Sequence, residues 1–172
     1  SNAWYVVVPS LVCAFEALRL ADVSGTSGFG NWDEKENGVR SSWREHLLAV
    51  KNDTPEKRTH GWREKLATSS EGEKAWLWGV ELLERIASDS VPRSLVHSDL
   101  INRNVFVEDN KISGVFDWGC ALYGDHLYDL AWFEFWASWY PELDIKFLRA
   151  ELERRWSQVG YTPKDLDSRL LA

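Results

Sequence analysis

The stretch that decides the fold of this chain is His97-Ser98-Asp99-Leu100-Ile101-Asn102-Arg103-Asn104, and a further Asp, Asp117, follows Asn104 after thirteen residues. In such an H-x-D-x-x-x-x-N pattern the first Asp can accept a hydroxyl proton, while the Asn and the later Asp supply oxygen ligands for Mg²⁺. We therefore predict Asp99 as the catalytic carboxylate, and Asn104 and Asp117 as metal ligands, of an ATP-dependent phosphoryl transfer. The upstream sequence shows no strand Lys beneath a Gly-rich loop, the feature that ordinarily completes such a site.

The residues around these motifs favour short β-strands. β-prone runs occupy residues 94–97, 105–107 and 112–116. Asp109 and Asn110 stand between the last two runs and suit the positive φ angles of a tight hairpin turn. The sequence therefore predicts a β-hairpin with Asn104 at one end and Asp117 at the other.

The rest of the chain is dominated by helical periodicity. Apolar residues recur at helical spacing in five segments, at residues 11–22, 42–50, 70–87, 126–139 and 144–159. Residues 24–38 are rich in Gly, Ser and Asn and are predicted to form a loop. The expected fold class is α+β, mostly α-helical, with one small hairpin that carries the catalytic and metal motifs.

Three linked motifs carry a resemblance to a known family: Leu95-Val96-His97-Ser98-Asp99, Gly114-Val115-Phe116-Asp117-Trp118 and Tyr123-Gly124-Asp125-His126-Leu127-Tyr128-Asp129-Leu130-Ala131. Through them the region 94–139 resembles the aminoglycoside phosphotransferases, kinase-like enzymes that phosphorylate hydroxyl groups of small molecules. A finer likeness, to the branch that acts on hygromycin B, rests on residues 21–30 and on the paired tryptophans Trp136 and Trp139.

The resemblance implies a kinase-like C-terminal lobe that transfers the γ-phosphoryl group of ATP or GTP, with Mg²⁺, to an aminoglycoside hydroxyl. Ser1-Asn2-Ala3 looks like the remnant of a cleaved tag, and residues 4–172 would form one domain without the N-terminal nucleotide lobe. Activity would then depend on a partner chain that supplies that lobe. Two alternatives stay open: a non-catalytic small-molecule-binding or interaction module, and a kinase for another metabolite such as choline or homoserine.

Several residues around the catalytic motif have both a functional and a structural interpretation. His97 is expected to hold the catalytic loop through hydrogen bonds, and by resemblance Asp125 supports the same loop. Arg103 is a possible phosphate contact, or else a solvated side chain. Asp125 and Asp129 also flank a predicted helix start, where carboxylates accept hydrogen bonds from free N–H groups.

The candidate substrate contacts come from two places in the sequence. By resemblance, Asp22, Ser27 and Gly28 belong to a loop on the substrate side, although a plain flexible connection explains them equally well. Trp136 and Trp139 are predicted either to pack in the core or to form apolar walls against sugar rings.

Composition and charge exclude some classes of protein. The chain has 172 residues, 44% hydrophobic content and a formal net charge of −7, which argues against a general nucleic-acid binder and suits a polycationic substrate. Cys13 and Cys120 have no metal-binding spacing, so we expect a reduced cytoplasmic setting. The longest apolar run, at residues 5–8, is of strand length, and no membrane segment is expected.

Overall fold

The computed structural model describes residues 3–100 and 104–172. The helices, in chain order, are α1 (Ala3–Leu20), α2 (Trp43–Leu48), α3 (Trp62–Ala67), α4 (Ser70–Ile86), α5 (Leu127–Trp136), α6 (Ile145–Gln158) and α7 (Leu166–Leu171). The strands are β1 (Phe29–Trp32), β2 (Gly38–Arg40), β3 (Ser94–Val96), β4 (Val105–Glu108), β5 (Lys111–Val115) and β6 (Leu122–Gly124). Short 3₁₀ turns cover Ala49–Lys51 and Trp118–Cys120. This α+β architecture confirms the predicted fold class.

Helices α4, α5 and α6 and the hairpin β4–β5 were predicted correctly to within a few residues. Ser42 begins α2 as expected, because its side chain accepts a hydrogen bond of 3.1 Å from the N–H of Glu45. The hairpin β4–β5 turns at Asp109 and Asn110, whose φ angles are +49° and +61°. Local signals of this kind, a capping hydroxyl and a turn dipeptide, act within a few residues and are therefore legible in the sequence.

The prediction that residues 24–38 form a loop was wrong for part of that segment. β1 and β2 pair as a hairpin, and they join a four-stranded antiparallel sheet of order β2-β1-β6-β3. In this sheet Gly30 lies opposite Tyr123, and Leu122 lies opposite Val96. Strands of three or four residues are too short to show an alternating pattern, and β6, the other partner of β1, is far away in the sequence.

Gly28 is required by the backbone at the start of this hairpin. Its φ angle is +70°, and a Cβ atom there would lie 2.1 Å from the carbonyl oxygen of Gly38. Ser27 reinforces the close approach, because its carbonyl accepts a 2.8 Å hydrogen bond from the N–H of Gly38. The backbone therefore passes so close to Gly38 that glycine is needed at position 28.

Helix α1 corrects a second expectation. It starts at Ala3 and absorbs residues 5–8, and its 18 residues are apolar and long enough to cross a membrane by length and composition. Its inner side nevertheless packs into the protein core, with Val8, Leu11 and Phe15 buried. The core helix of a soluble protein passes the same test of length and composition, so this is weak evidence for a membrane span.

The main hydrophobic core lies directly behind the catalytic loop. Leu100, which follows Asp99, is buried in one cluster with the inner sides of α1, α5 and α6. A second cluster, which includes Trp43, Val96 and Leu122, lies along the four-stranded sheet. The loop residues 97–100 therefore leave a buried strand and end in a buried anchor, which fixes where Asp99 lies.

Candidate active site

Strand β3 delivers the catalytic loop into the protein interior. His97 is fully buried, and Ser98 has a φ angle of +63°. The backbone N–H groups of His97 and Ser98 donate hydrogen bonds of 2.9 and 2.7 Å to the two carboxylate oxygens of Asp129. A left-handed conformation at a non-glycine residue is sparsely populated, and here the two hydrogen bonds that one buried carboxylate accepts hold it.

The His97 ring connects the loop to the segment that contains Asp117. Nε2 lies 2.9 Å from the carbonyl oxygen of Phe116, and Nδ1 lies 3.3 Å from the backbone nitrogen of Asp99. A neutral ring protonated at Nε2 satisfies both contacts, because it donates to Phe116 and accepts from Asp99. The ring also packs against Trp118, with centroids 4.8 Å apart.

Asn104 lies against Asp99. Its amide nitrogen donates to the Asp99 backbone carbonyl at 2.8 Å and to carboxylate oxygen Oδ2 at 3.1 Å. The Asn104 carbonyl accepts a 3.0 Å hydrogen bond from the N–H of Phe116, the residue before Asp117. The structure thus brings Asp99 and Asn104 into direct contact and places Asp117 next to a residue bonded to Asn104.

The Asp117 carboxylate is exposed at the end of β5. The residue is left-handed, with φ +59° and ψ +62°, and none of the residues that the structure describes donates a hydrogen bond to its side chain. Because the amide nitrogen of Asn104 faces Asp99, its amide oxygen points elsewhere. A carboxylate and an amide oxygen are the hard donors that Mg²⁺ prefers, so these two side chains fit the predicted metal.

Asp125 does not contact the catalytic loop within the described residues. Its carboxylate accepts from the N–H of Leu127 at 3.0 Å and forms a two-pronged pair with Arg169, at 2.7 and 2.6 Å. It therefore lies just before α5 and holds α7. The described hydrogen bonds to the loop are those of Asp129, and loop support by Asp125 stays a prediction. The two carboxylates are four residues apart in sequence, and only their side-chain directions in the fold separate the two roles.

Burial raises the pKa of Asp129 from its ordinary 3.8 to about 6. The hydrogen bonds from the N–H groups of His97 and Ser98 act in the opposite direction but do not cancel this desolvation. The loop that contains Asp99 is thus held by a buried carboxylate that accepts hydrogen bonds from two backbone N–H groups.

The loop candidates Asp22, Ser27 and Gly28 lie away from Asp99. β1 and β3 both pair antiparallel with β6 and so run in the same direction. Ser27 and Gly28 precede β1, whereas the catalytic loop follows β3, so the strands separate them by roughly 10 Å. The Asp22 carboxylate instead accepts the N–H of Ser24 at 2.9 Å, a contact that lowers its pKa.

The tryptophan candidates belong to an aromatic cluster at the end of α5. Trp136 packs against Trp139 with ring centroids 5.5 Å apart, and Trp139 is 60% exposed. Asp129 lies in the first turn of the same helix and Trp136 at its end, about 10 Å along the axis. The cluster therefore presents an aromatic surface on the helix that also anchors the catalytic loop.

Other residues complete the comparison of prediction and structure. Arg103 lies outside the described residues. Trp32 was not singled out in the sequence. It ends β1 on the side of the sheet where His97 follows β3, is 39% exposed and contacts the ring of Tyr123. A lone Trp among small polar residues was the one available signal for it. The contacts of Arg93, described below, had no sequence signal.

Comparison with known proteins identifies the family of this chain. The model of the phosphotransferase enzyme family APH matches residues 11–163, so the chain belongs to this family. It is similar to hygromycin-B 4-O-kinase of Escherichia coli, with 26% identity over 157 residues, which are 88% of this chain and 42% of that protein.

Solved structures give the same result. The chain matches a thermostable mutant of aminoglycoside phosphotransferase APH(4)-Ia, in a ternary complex with AMP-PNP and hygromycin B, with a TM-score of 0.74 and 25% identity. That match covers 99% of this chain and 56% of the other. A crystal structure of APH(4)-Ia matches with a TM-score of 0.70 and 26% identity, over 96% of this chain and 53% of the other. The chain therefore spans about half the length of the relatives it matches.

Proposed function

We propose that this chain is the C-terminal, acceptor-binding and catalytic lobe of an ATP-dependent O-phosphotransferase that acts on an aminoglycoside. The observation that carries the proposal is the contact between Asp99 and Asn104 next to Asp117, in a chain of the phosphotransferase family. A nucleotide-binding lobe outside this chain, on the same polypeptide or a partner, would complete the site. Residues 4–172 would then act as one domain.

Phosphoryl transfer to a hydroxyl group needs one proton acceptor and accurate positioning of that hydroxyl. The Asp99 carboxylate would orient the acceptor hydroxyl and accept its proton as the acceptor oxygen forms a bond to the γ-phosphorus. The bond between the γ-phosphorus and the oxygen that bridges to the β-phosphate breaks, and the nucleoside diphosphate leaves. Asn104 steadies Asp99 through its two amide hydrogen bonds, which restricts the directions in which the carboxylate can point.

Asn104 and Asp117 are the residues that would hold Mg²⁺. When bound, Mg²⁺ supplies positive charge that neutralises the phosphate oxygens of the nucleotide. Among the described residues no group of three or more His, Cys, Asp and Glu side chains could hold a metal ion. In the proposed site the phosphates of the nucleotide would provide the remaining ligands, as phosphoryl-transfer sites commonly do.

The proposed acceptor is a polycationic aminoglycoside of the hygromycin type. The support is the similarity to a hygromycin-B kinase, the net charge of −7, and the exposed aromatic surface at Trp139. Sugar rings pack favourably on aromatic faces, and ammonium groups are attracted by a negative surface. ATP is the proposed donor, and the cytoplasm, where ATP is available, is the proposed location.

A phosphate-transfer assay on the full-length protein tests this function, with ATP, Mg²⁺ and hygromycin B beside other aminoglycosides, choline and homoserine. Asp99→Asn should lower kcat by about 10²–10⁴, the usual contribution of a positioned proton acceptor. Asp109→Asn is the matched control, because Asp109 lies in the β4–β5 turn, where Asn tolerates the positive φ equally well.

Transfer to choline or homoserine but to no aminoglycoside would contradict the acceptor class. Full activity of Asp99→Asn would contradict the assignment of the site.

A further inference from the structure

Arg93 lies in the segment between α4 and β3, and its guanidinium group is surrounded by acceptors from one loop. Nη2 donates to the carbonyl oxygens of Val23 and Thr26, at 2.5 and 2.6 Å. Nη1 donates to the Thr26 hydroxyl at 2.9 Å and to the Gly28 carbonyl at 3.5 Å. Three carbonyl groups of residues 23–28 therefore converge on one cation.

The chemistry of this contact depends on the shape of arginine. All the hydrogen-bond acceptors that Arg93 meets in the described part of the chain are uncharged, so the guanidinium group is bound by carbonyl and hydroxyl dipoles. A planar group with five N–H donors can satisfy several acceptors at once, whereas a lysine ammonium group cannot span the same set. The loop conformation and the arginine are thus matched to each other.

A series of contacts runs from Arg93 through two aromatic rings to the end of the sheet that lies next to His97. The guanidinium carbon lies 4.9 Å from the ring centroid of Tyr123, a buried residue of β6. The Tyr123 ring in turn contacts Trp32, with centroids 5.4 Å apart. Trp32 ends β1, at the end of the sheet where β3 continues into His97 and Asp99. Arg93 therefore contacts both the start of the β1–β2 hairpin and the Tyr123 ring, which packs against Trp32 at the end of β1.

We propose that Arg93 is a positioning residue for the acceptor substrate, an inference that rests on the proposed function. By fixing residues 23–28 and the Tyr123 ring, it sets the place of Trp32 and of the acidic turn Asp33-Glu34-Lys35-Glu36 that follows it. An exposed aromatic ring beside carboxylates suits an aminosugar that carries ammonium groups. Within the described residues Arg93 contacts residues 23–28 and Tyr123, so we expect its replacement to leave the KM for ATP close to wild type.

Steady-state kinetics of full-length Arg93→Ala and Arg93→Lys test the proposal. Arg93→Ala should raise the KM for the acceptor about tenfold, the size expected for losing charge-assisted hydrogen bonds, while kcat and the KM for ATP stay close to wild type. Arg93→Lys should lie between the two. Millimolar guanidinium chloride should lower the raised KM of Arg93→Ala, because the free ion can enter the cup of carbonyl groups, and should leave the wild type unchanged.

Arg44→Ala is the matched structural control. The Arg44 guanidinium group also donates to backbone carbonyls, those of Glu84 and Ala87 at 2.7 and 2.6 Å, but these lie at the end of α4. Arg44→Ala should lower the melting temperature without raising the acceptor KM. The proposal is overturned if Arg93→Ala behaves in the same way, with lower stability or kcat and an unchanged acceptor KM.

Hydrogen exchange separates this inference from the proposed function. Amides of residues 23–30 should exchange faster in Arg93→Ala than in the wild type, and guanidinium should restore their protection. If the wild-type protein transfers phosphate to no acceptor at all, the proposed function fails, and exchange alone then judges the anchoring role. Unchanged exchange in this loop would overturn that role whatever the activity.

Discussion

The first turn of α5 supports two regions of the molecule in opposite ways. On one side Asp129 holds the catalytic loop through two backbone N–H groups. On the other side Asp125 holds α7 through the guanidinium group of Arg169, in an ion pair whose side chains are 3% and 8% exposed. Both carboxylates are buried, and among the described residues Asp125 pairs with a guanidinium group whereas Asp129 accepts from backbone N–H groups. A buried ion pair fastens an element of structure, whereas a carboxylate held by N–H groups fixes the backbone geometry of a loop.

A histidine beside Asp125 adds to the contrast. His126 is buried, and Nε2 contacts the hydroxyl of Tyr161 at 3.1 Å. Burial lowers its pKa from 6.5 to about 4, despite the attraction of Asp125. Near α7, burial thus disfavours protonation of His126, whereas at the loop that contains Asp99 burial disfavours ionisation of Asp129.

The largest expected effect is on stability in the α7 region. Arg169→Ala should lower the free energy of unfolding by about 3–5 kcal/mol, because it leaves Asp125 as a buried charge without its partner. Arg154→Ala is the control, since its pair with Glu151 is at the surface, and it should change stability by less than about 1 kcal/mol. Chemical denaturation measures both, and equal effects would show that the buried pair is not special.

The second expected effect concerns pH. Because the pKa of Asp129 is raised, its contribution to stability is present below pH 3.8 and is lost as the pH rises through about 6. Because the pKa of His126 is lowered, its contribution is present above pH 6.5 and is lost as the pH falls through about 4. Each amounts to about 3 kcal/mol, and the two oppose each other.

Unfolding free energies measured between pH 4 and 7 check this opposition. Relative to the wild type, Asp129→Asn should gain stability as the pH rises, and His126→Gln should lose it over the same range. Difference profiles remove the contribution of the other titrating groups, which all three proteins share. If the differences in unfolding free energy do not change with pH, the predicted pKa shifts of Asp129 and His126 are contradicted.

The third expected effect is on activity in the catalytic region. Asp129→Ala releases the N–H groups of His97 and Ser98, and we expect kcat to fall about 10²-fold, the usual result of misplacing a reacting group by about 1 Å. Asp129→Asn keeps one good acceptor and should lose less. Kinetics of the full-length protein measure the effect, together with circular dichroism as a folding control. A larger loss of kcat in Arg169→Ala than in Asp129→Ala would reverse the comparison.

The smallest expected effect is on acceptor binding at the aromatic surface. Trp139→Ala should weaken aminoglycoside binding by about 0.5–1.5 kcal/mol, the range for one aromatic contact. Trp78→Ala is the control, because Trp78 is 67% exposed on α4, outside this cluster. Calorimetric titration with hygromycin B measures both variants, and equal affinities would move the acceptor away from Trp139.

Some of the site followed from sequence because its signals are local or strongly patterned. The spacing from His97 to Asn104 and the turn at Asp109 predicted the hairpin and both ends of the site. The segment from Asp125 to Ala131 also matched the family pattern, but it contains two carboxylates, and the described hydrogen bonds to the loop are those of Asp129. Which of them faces the loop depends on the rotation of α5 against β3, and no single segment records that angle.

The sequence by itself determined the family, the fold class, the long helices and the residue types at the proposed centre. It did so because caps, turns and motif spacing act over a few residues and leave a readable trace. Only the tertiary structure decided that Phe29–Trp32 and Gly38–Arg40 form strands, that Asp129 holds the loop that contains Asp99 and that Arg93 binds the carbonyls of residues 23–28. The contacts of Asp129 and Arg93 join residues separated by 31 to 70 positions, and their free energy exists only after the chain has folded and water has been excluded between them.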